Sequence, residues 1–164
     1  MDTKIKLNHI KLIVYDFDGV MTDNKAIVDQ NGKESVKINR SDGLGVSLIK
    51  DLGIYQMILS TEKNSVVSKR GEKLGIPVVQ GVDDKAKILT NYCSENGFLL
   101  EETMYIGNDL NDYICMEIAG IKGCPSDAEP EIIEICDWVS KVKGGNGVIR
   151  ELYRVLSNIK IANE

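Results

Sequence analysis

Two aspartates near the start of the chain, Asp16 and Asp18, are separated by one residue and followed by Gly19. Residues 10–16 form a continuous apolar run, as in strands buried on both faces, so the pair is predicted at the carboxyl end of a first strand. Two carboxylates placed together at the end of a strand can take part in catalysis. An ordinary strand-end Asp-Gly turn has the same pattern. The residues that follow the other predicted strands must therefore distinguish a catalytic pair from a structural turn.

A hydroxyl and a lysine follow later predicted strands. Ser60 comes directly after residues 55–59, and its hydroxyl can donate to a phosphate oxygen, although it could equally cap the helix predicted from residue 65. Lys85 lies in the first turn of another predicted helix. A cation there opposes the helix dipole, which indicates a specific anionic partner.

Amide and carboxylate oxygens follow the strand predicted at residues 103–106. Asn108, Asp109 and Asp112 lie within a few positions of its end. Oxygen ligands of this kind suit magnesium. Because the carboxyl ends of parallel strands meet at one edge of the sheet, these residues, the acid pair, the hydroxyl and the lysine predict a phosphoryl-transfer site.

Alternating strands and helices are predicted to position these residues. Strands are predicted at residues 10–16, 55–59, 77–79, 103–106 and 138–139. Helices are predicted at residues 41–52, 65–74, 85–96, 110–119, 131–136 and 147–156. A β-hairpin is predicted at about residues 25–38, around an Asn-Gly turn. The pattern predicts an α/β fold with a Rossmann-like parallel sheet, helices on both faces, and the hairpin inserted after the first strand.

Length and charge limit the class of protein. A chain of 164 residues suits one domain, residues 1–164, which ends in a helix and tail from about residue 147. The net charge of −5 disfavours nucleic acid as a partner. Apolar runs are too short to cross a membrane, and the first residues do not resemble a secretory signal. A cytoplasmic protein is therefore expected.

Cysteine and histidine usage disfavours other chemistry. The four cysteines lack the spacing of a zinc site and are predicted to be free thiols, mostly buried. His9 is the only histidine, and it is predicted at the surface. Nucleophilic catalysis with a histidine base is therefore not expected.

The motifs, taken in order, resemble those of the haloacid dehalogenase superfamily of phosphatases. They are D-x-D-G-V from Asp16, Ser60, Lys85, and G-N-D-x-N-D at residues 107–112. The chain is most similar to a capless branch that includes 3-deoxy-D-manno-octulosonate 8-phosphate phosphatase, nonulosonate (KDN and N-acylneuraminate) 9-phosphate phosphatases, and a phosphatase-like domain attached to some sialate cytidylyltransferases. The hairpin and residues 40–45, 80–85 and 143–151 also look like that branch.

This resemblance implies roles for the residues that match. Asp16 would form an aspartyl-phosphate, and Asp18 would act as general acid and then general base. Ser60 and Lys85 would stabilise charge on the transferring oxygens. Magnesium would be bound by the Asp16 carboxylate, the Asp18 backbone carbonyl and the side chain of Asn108.

Asp109 and Asp112 would orient the metal-bound waters and Lys85.

Two positions depart from the usual pattern of the family. Most relatives have aspartate where this chain has Asn108, so a lower metal affinity is expected. Thr61 stands where relatives usually have glycine.

No lid domain fits between the motifs, since the predicted hairpin, helices and strands use up the intervening residues. The resemblance implies a homotetramer in which a neighbour's C-terminal tail closes the open site.

Glu62, Arg70 and Lys73 match positions that contact the sugar acid in nonulosonate phosphatases, although Arg70 and Lys73 could equally lie on a solvated helix face. The implied activity is a magnesium-dependent phosphomonoesterase that removes the terminal phosphate of a 3-deoxy-2-ulosonic acid.

Two other interpretations remain open. A receiver domain is also a small α/β protein phosphorylated on aspartate, but its adjacent acids usually lie on the first strand and its phosphorylated aspartate on a later one. The second alternative is a weakly active phosphatase-like domain that serves assembly with a sialate cytidylyltransferase. Asn108 motivates this alternative.

Overall fold

Six parallel strands form the central sheet of the computed structural model, which describes residues 7–162. The strands, in chain order, are β1 (Leu12–Tyr15), β2 (Ala26–Val28), β3 (Glu34–Val36), β4 (Tyr55–Leu59), β5 (Val78–Val79), β6 (Thr103–Ile106), β7 (Ile121–Cys124) and β8 (Trp138–Val139). The order in the large sheet is β5-β4-β1-β6-β7-β8, and β2 pairs with β3 in a separate antiparallel hairpin. The predicted fold class is confirmed.

Between and after the strands, within residues 12–162, lie six helices and two short 3₁₀ turns. The helices are α1 (Arg40–Asp51), α2 (Val66–Leu74), α3 (Lys85–Asn96), α4 (Tyr113–Ile118), α5 (Pro130–Ile135) and α6 (Val148–Ile161), and the 3₁₀ turns are Leu100–Glu102 and Leu110–Asp112. Connections of this length leave no room for an inserted lid between the strands of residues 7–162. Within residues 7–162, no helix has the length and hydrophobicity needed to cross a bilayer.

The apolar residues of β1 alternate between the two faces of the sheet, because successive side chains of a strand point in opposite directions. Ile13 and Tyr15 pack in one buried cluster with residues of α1, α2 and α6. Leu12 and Val14 pack in a second cluster with residues of α3, α4 and α5. Both faces are therefore covered, and the edge at the carboxyl ends of the strands is left for a site.

Most predicted elements agree with the structure, and three differ. The strand β7 was not predicted. The helix predicted at residues 110–119 is divided into a 3₁₀ turn and α4, and α6 continues to Ile161 rather than ending near residue 156. His9 is exposed as predicted, and the four cysteines are free, three of them buried.

Asp42 joins α1 to the first turn of α6. Its Oδ1 accepts hydrogen bonds from the backbone N–H groups of Ile149 at 3.0 Å and Arg150 at 3.2 Å. The residue is 1% exposed. Burial raises the pKa of the Asp42 carboxyl to about 6, although these backbone hydrogen bonds and the charge of Arg70 act to lower it.

We expect Asp42 to make stability depend on pH. Its pKa is about 6 when folded and near 3.8 when unfolded, so the folded state binds more protons between these values and the free energy of unfolding falls as pH rises through them. The loss amounts to about 3 kcal/mol. The variant Asp42→Asn keeps the Oδ1 acceptor but has no carboxyl group to titrate. Denaturant unfolding should show that the difference in the free energy of unfolding between wild type and this variant changes with pH. Exposed Asp51→Asn is the control, and parallel pH curves for wild type and Asp42→Asn would contradict the assignment.

Candidate active site

The backbone fixes two of the predicted site residues just beyond their strands. The N–H of Asp16 donates to the carbonyl of Ile106 at 2.9 Å, which extends the pairing of β1 with β6. The N–H of Ser60 donates to the carbonyl of Val79 at 3.0 Å, which extends the pairing of β4 with β5. Both residues therefore lie at the same edge of the sheet.

Lys85 binds two carboxylates at this edge. Its Nζ is 2.7 Å from Asp16 Oδ1 and 2.7 Å from Asp112 Oδ1, and all three side chains are at least nine-tenths buried. Asp112 also accepts hydrogen bonds from the Tyr105 hydroxyl at 2.8 Å and from the Asn108 N–H at 3.0 Å. Lys85 is the first residue of α3, where the helix dipole disfavours a positive charge. The two carboxylates offset this effect because they stabilise the charge of the lysine.

Burial sets the protonation of this cluster. Burial raises the pKa of the Asp16 carboxyl to about 7, the nearby Asp112 adds to the rise, and Lys85 opposes it. For Lys85, burial lowers the pKa, but Asp16 and Asp112 together outweigh it and the pKa is raised. Lys85 is therefore a fixed buried cation beside Asp16, as the stabilisation of a phosphoryl group requires.

The Asp18 carboxyl is held by Thr22. The Thr22 hydroxyl donates to Asp18 Oδ1 at 3.2 Å and accepts the N–H groups of Gly19 and Asn24, each at 3.2 Å. Burial raises the pKa of Asp18, and the charge of Glu62 adds to the rise. A carboxyl group with a raised pKa is suited to donate a proton to a leaving group.

The amide of Asn108 lies among oxygen atoms. One end of the amide is 2.7 Å from the Asp18 carbonyl and 3.3 Å from Asp16 Oδ2. If that end is nitrogen it donates to both; if it is oxygen, three oxygens face one another, and only a cation among them would favour this arrangement. A Cβ on Gly19 would lie 2.2 Å from the Asn108 amide nitrogen, so glycine permits the close approach. These residues fit a hard divalent cation.

A metal site here depends on atoms other than clustered acids. Within residues 7–162, no group of three or more His, Cys, Asp and Glu side chains is placed to hold a metal ion. The atoms that face one another here belong to one carboxylate, one amide and one backbone carbonyl. Such a set carries less negative charge than one with a second carboxylate, and the lower metal affinity stays a prediction.

Gly144 and Gly145 pack against the turn that follows Asp18. The N–H of Gly145 donates to the carbonyl of Val20 at 3.0 Å. A Cβ on Gly144 would lie 1.9 Å from the Gly19 carbonyl oxygen. Only residues without side chains allow this loop to pack against the turn.

Two adjoining cavities open at this edge. The first, of about 340 Å³, is called the phosphate cavity; Asp16, Asp18, Ser60 and Asn108 contribute to its lining, as does Asn24. The second, of about 290 Å³, is called the hairpin cavity, and its lining includes Asp18, Asn24, Lys25, Glu34, Ser35 and Glu62. Asp18 and Asn24 line both, so the cavities meet beside the predicted proton donor.

The structure brings most of the predicted residues together. Those at the phosphate cavity or in direct contact with its lining are Asp16, Asp18, Ser60, Lys85, Asn108, Asp109 and Asp112. Thr61 also lines it, and Glu62 lines the hairpin cavity.

Arg70 and Lys73, both on α2, line neither cavity. Arg70 is buried and donates from Nη2 to the Asn39 carbonyl at 3.2 Å, whereas Lys73 is exposed. The hydrogen bond to Asn39 holds Arg70 against the start of α1. The contact of Arg70 and Lys73 with a substrate stays a prediction.

Sequence reasoning missed three residues of the site. They are Thr22, which donates a hydrogen bond to Asp18; Tyr105, which donates one to Asp112; and Asn24, which lines the phosphate cavity. A turn was predictable at Asp23-Asn24, since both residues favour turns. The other contacts carry no local signal.

Comparisons with known proteins agree with this geometry. Residues 54–152 match the model of the haloacid dehalogenase-like hydrolase family. The 3-deoxy-D-manno-octulosonate 8-phosphate phosphatase KdsC of Escherichia coli K12 is 31% identical over 156 residues, which are 94% of this chain and 83% of that protein. N-acylneuraminate cytidylyltransferase A of Danio rerio is 29% identical over 150 residues, 90% of this chain but 35% of that protein's length.

A solved structure shows the same fold. The crystal structure of 3-deoxy-D-manno-octulosonate 8-phosphate phosphatase from Moraxella catarrhalis, in complex with magnesium, phosphate and KDO, has a TM-score of 0.91 and 30% identity, and the match covers 98% of this chain and 97% of that one. The matched family, the fold and the gathered strand ends lead to one conclusion. This chain belongs to the haloacid dehalogenase-like hydrolases and is a phosphatase of that family.

Proposed function

We propose that the chain is a magnesium-dependent phosphomonoesterase that removes the terminal phosphate of a 3-deoxy-2-ulosonic acid through an aspartyl-phosphate on Asp16. The observation that carries the proposal is the buried contact of Lys85 with both Asp16 and Asp112, beside the oxygen atoms around Asn108. A nucleophilic carboxylate, a fixed cation and a hard-cation site in one crevice are the parts that phosphoryl transfer requires.

In the first step a carboxylate oxygen of Asp16 attacks phosphorus and the bond from phosphorus to the leaving oxygen breaks. Asp18 gives its proton to that oxygen, which leaves as an alcohol. In the second step a water attacks the phosphorus of the aspartyl-phosphate and loses its proton to Asp18. Inorganic phosphate leaves, and the Asp16 carboxylate is restored.

Ser60 and Lys85 act on the oxygens of the transferring group. Ser60 Oγ accepts the N–H of Glu62 at 3.1 Å, so its own O–H is directed elsewhere and can donate to a phosphate oxygen. Lys85 offers a positive charge that Asp112 holds in place. Asp112 is therefore a positioning residue, and Asp109, at the rim of the phosphate cavity, would orient waters there.

Magnesium would be held by the Asp16 carboxylate, the Asp18 backbone carbonyl and the Asn108 amide oxygen. When bound, it would offset the like charges of nucleophile and phosphate. We infer magnesium over softer metals because all three donors are oxygen atoms.

The substrate class rests on the relatives and on the hairpin cavity. Two relatives are named for 3-deoxy-D-manno-octulosonate 8-phosphate, and a third for an N-acylneuraminate, which is also a sugar acid. Asp18, Glu34 and Glu62 outnumber Lys25 in the lining of the hairpin cavity, and this net negative charge favours hydroxyl or amide groups over a second carboxylate. An octulosonate 8-phosphate or a nonulosonate 9-phosphate is therefore the proposed substrate.

We also propose that the chain works in the cytoplasm as a homotetramer in which a neighbouring copy closes the open site. Ile27 and Val28 of the hairpin are each 58% exposed, as expected of residues that pack against another copy. A neighbour would also supply Arg70 and Lys73 to the substrate.

A panel of phosphate esters tests the proposal. We expect magnesium-dependent phosphate release from an octulosonate 8-phosphate or a nonulosonate 9-phosphate, with kcat/KM at least about 10-fold above that for p-nitrophenyl phosphate. Removal of the metal with EDTA should stop release, and added magnesium should restore it. No preference for sugar acids would refute the substrate class, and metal-independent release would refute the metal.

A second candidate is a weakly active domain that serves assembly with a sialate cytidylyltransferase. The partial match to the zebrafish cytidylyltransferase and the reduced charge at Asn108 favour it. The same assay decides, since steady turnover by the isolated chain, at rates typical of phosphatases, would remove this candidate.

A further inference from the structure

Asn24 has an unusual backbone conformation. Among residues 7–162 it is the one non-glycine residue with a positive φ, at 60°. Asparagine tolerates this left-handed conformation better than most residues, but glycine adopts it more readily. The turn at Asp23-Asn24 accounts for the backbone conformation but not for the choice of asparagine over glycine, and non-glycine residues retained in this conformation cluster at functional sites.

The position of Asn24 is fixed relative to the predicted proton donor. Its N–H donates to Thr22 Oγ1 at 3.2 Å, and the same hydroxyl donates to Asp18 Oδ1 at 3.2 Å. Asn24 also lines both the phosphate cavity and the hairpin cavity. It therefore lies where the two cavities meet, beside the predicted proton donor.

We propose that Asn24 is a specificity-determining residue whose side-chain amide hydrogen-bonds a hydroxyl of the leaving group close to the ester oxygen. This inference rests on the proposed function. An amide both donates and accepts, as a hydroxyl does, whereas Glu34 and Glu62 in the same cavity only accept when ionised. A group placed to pair with a substrate hydroxyl discriminates against esters that lack one.

The variant Asn24→Gly tests the proposal, because glycine keeps the positive φ and the backbone N–H while it removes the amide. We expect kcat/KM for an octulosonate 8-phosphate or nonulosonate 9-phosphate to fall by roughly 10- to 100-fold. Since p-nitrophenyl phosphate has no hydroxyl near its ester oxygen, its kcat/KM should change by less than about 3-fold. Asn31→Gly, in the exposed hairpin turn outside both cavities, is the matched control and should leave both values unchanged.

The outcomes separate this inference from the proposed function. If wild type hydrolyses both esters and Asn24→Gly slows both equally, Asn24 acts through Thr22 and Asp18, and the specificity role is wrong. No change with either ester also overturns it. If wild type hydrolyses only p-nitrophenyl phosphate, or neither ester, the proposed function fails first. A selective loss with the sugar-acid ester, with an unchanged thermal unfolding midpoint, supports the role.

Discussion

Asp16→Asn should abolish phosphate release and leave the fold intact. An amide cannot attack phosphorus to form the acyl phosphate, so we expect kcat to fall by about 10⁴-fold or more. The amide has nearly the same shape as the carboxylate and can still accept a hydrogen bond from Lys85, which keeps its contact with Asp112. Steady-state phosphate release and thermal unfolding measure the two expectations.

The matched control is Asp51→Asn, which makes the same chemical change on the exposed last turn of α1. It should retain wild-type activity. Release by Asp16→Asn within about 10-fold of wild type would mean that another group, or water directly, attacks phosphorus.

Lys85→Met should lose both activity and stability. The change leaves Asp16 and Asp112 buried without their shared cation, which we expect to cost about 3 kcal/mol or more of the free energy of unfolding. It also removes the fixed charge that stabilises the transferring oxygens, so kcat should fall by about 10³-fold. Denaturant unfolding and steady-state kinetics measure these losses.

A double variant separates the two effects of Lys85. Adding Asp112→Asn to Lys85→Met restores the net charge of the cluster, so stability should recover in part while activity stays low. Lys87→Met, on the exposed face of the same helix, should match wild type. If the double variant recovers activity together with stability, Lys85 has only a structural role.

Local patterns predicted the elements that depend least on distant contacts. The bounds of β4, α3, β6 and β8 agree with the predictions, since apolar runs with clear stops define them. The strand β7 was missed because Lys122 and Gly123 interrupt its apolar pattern. The strand forms because it pairs with β6 and β8. Residue 123 is glycine because a Cβ there would lie 2.6 Å from the Met104 side chain.

Tertiary packing also explains the length of α6. Ser157 and Asn158 are weak helix formers, so an end near residue 156 was reasonable. The helix continues because Ile159 packs against the core and extends the apolar face of α6. Packing thus outweighs local propensity in this last turn.

The site was predictable where chemistry requires a residue type at a strand end, and less so elsewhere. Asp16 and Ser60 directly follow clear strands and Lys85 is the first residue of a clear helix, so their convergence follows from the sheet. The hydrogen bond from Thr22 to Asp18 and the close packing of Gly144 against Gly19 depend on loop geometry, which no local sequence pattern predicts.

The central claim is that Asp16 becomes phosphorylated, and trapping the phosphoryl group tests it most directly. The Asp18→Asn variant lacks the general base for the second step, while p-nitrophenolate leaves without a proton donor, so the intermediate should accumulate from p-nitrophenyl phosphate with magnesium. After an acid quench, mass spectrometry should find one phosphoryl group on the peptide that contains Asp16. A phosphoryl group on another residue, or phosphate release at the wild-type rate with no phosphorylated peptide, would contradict the account.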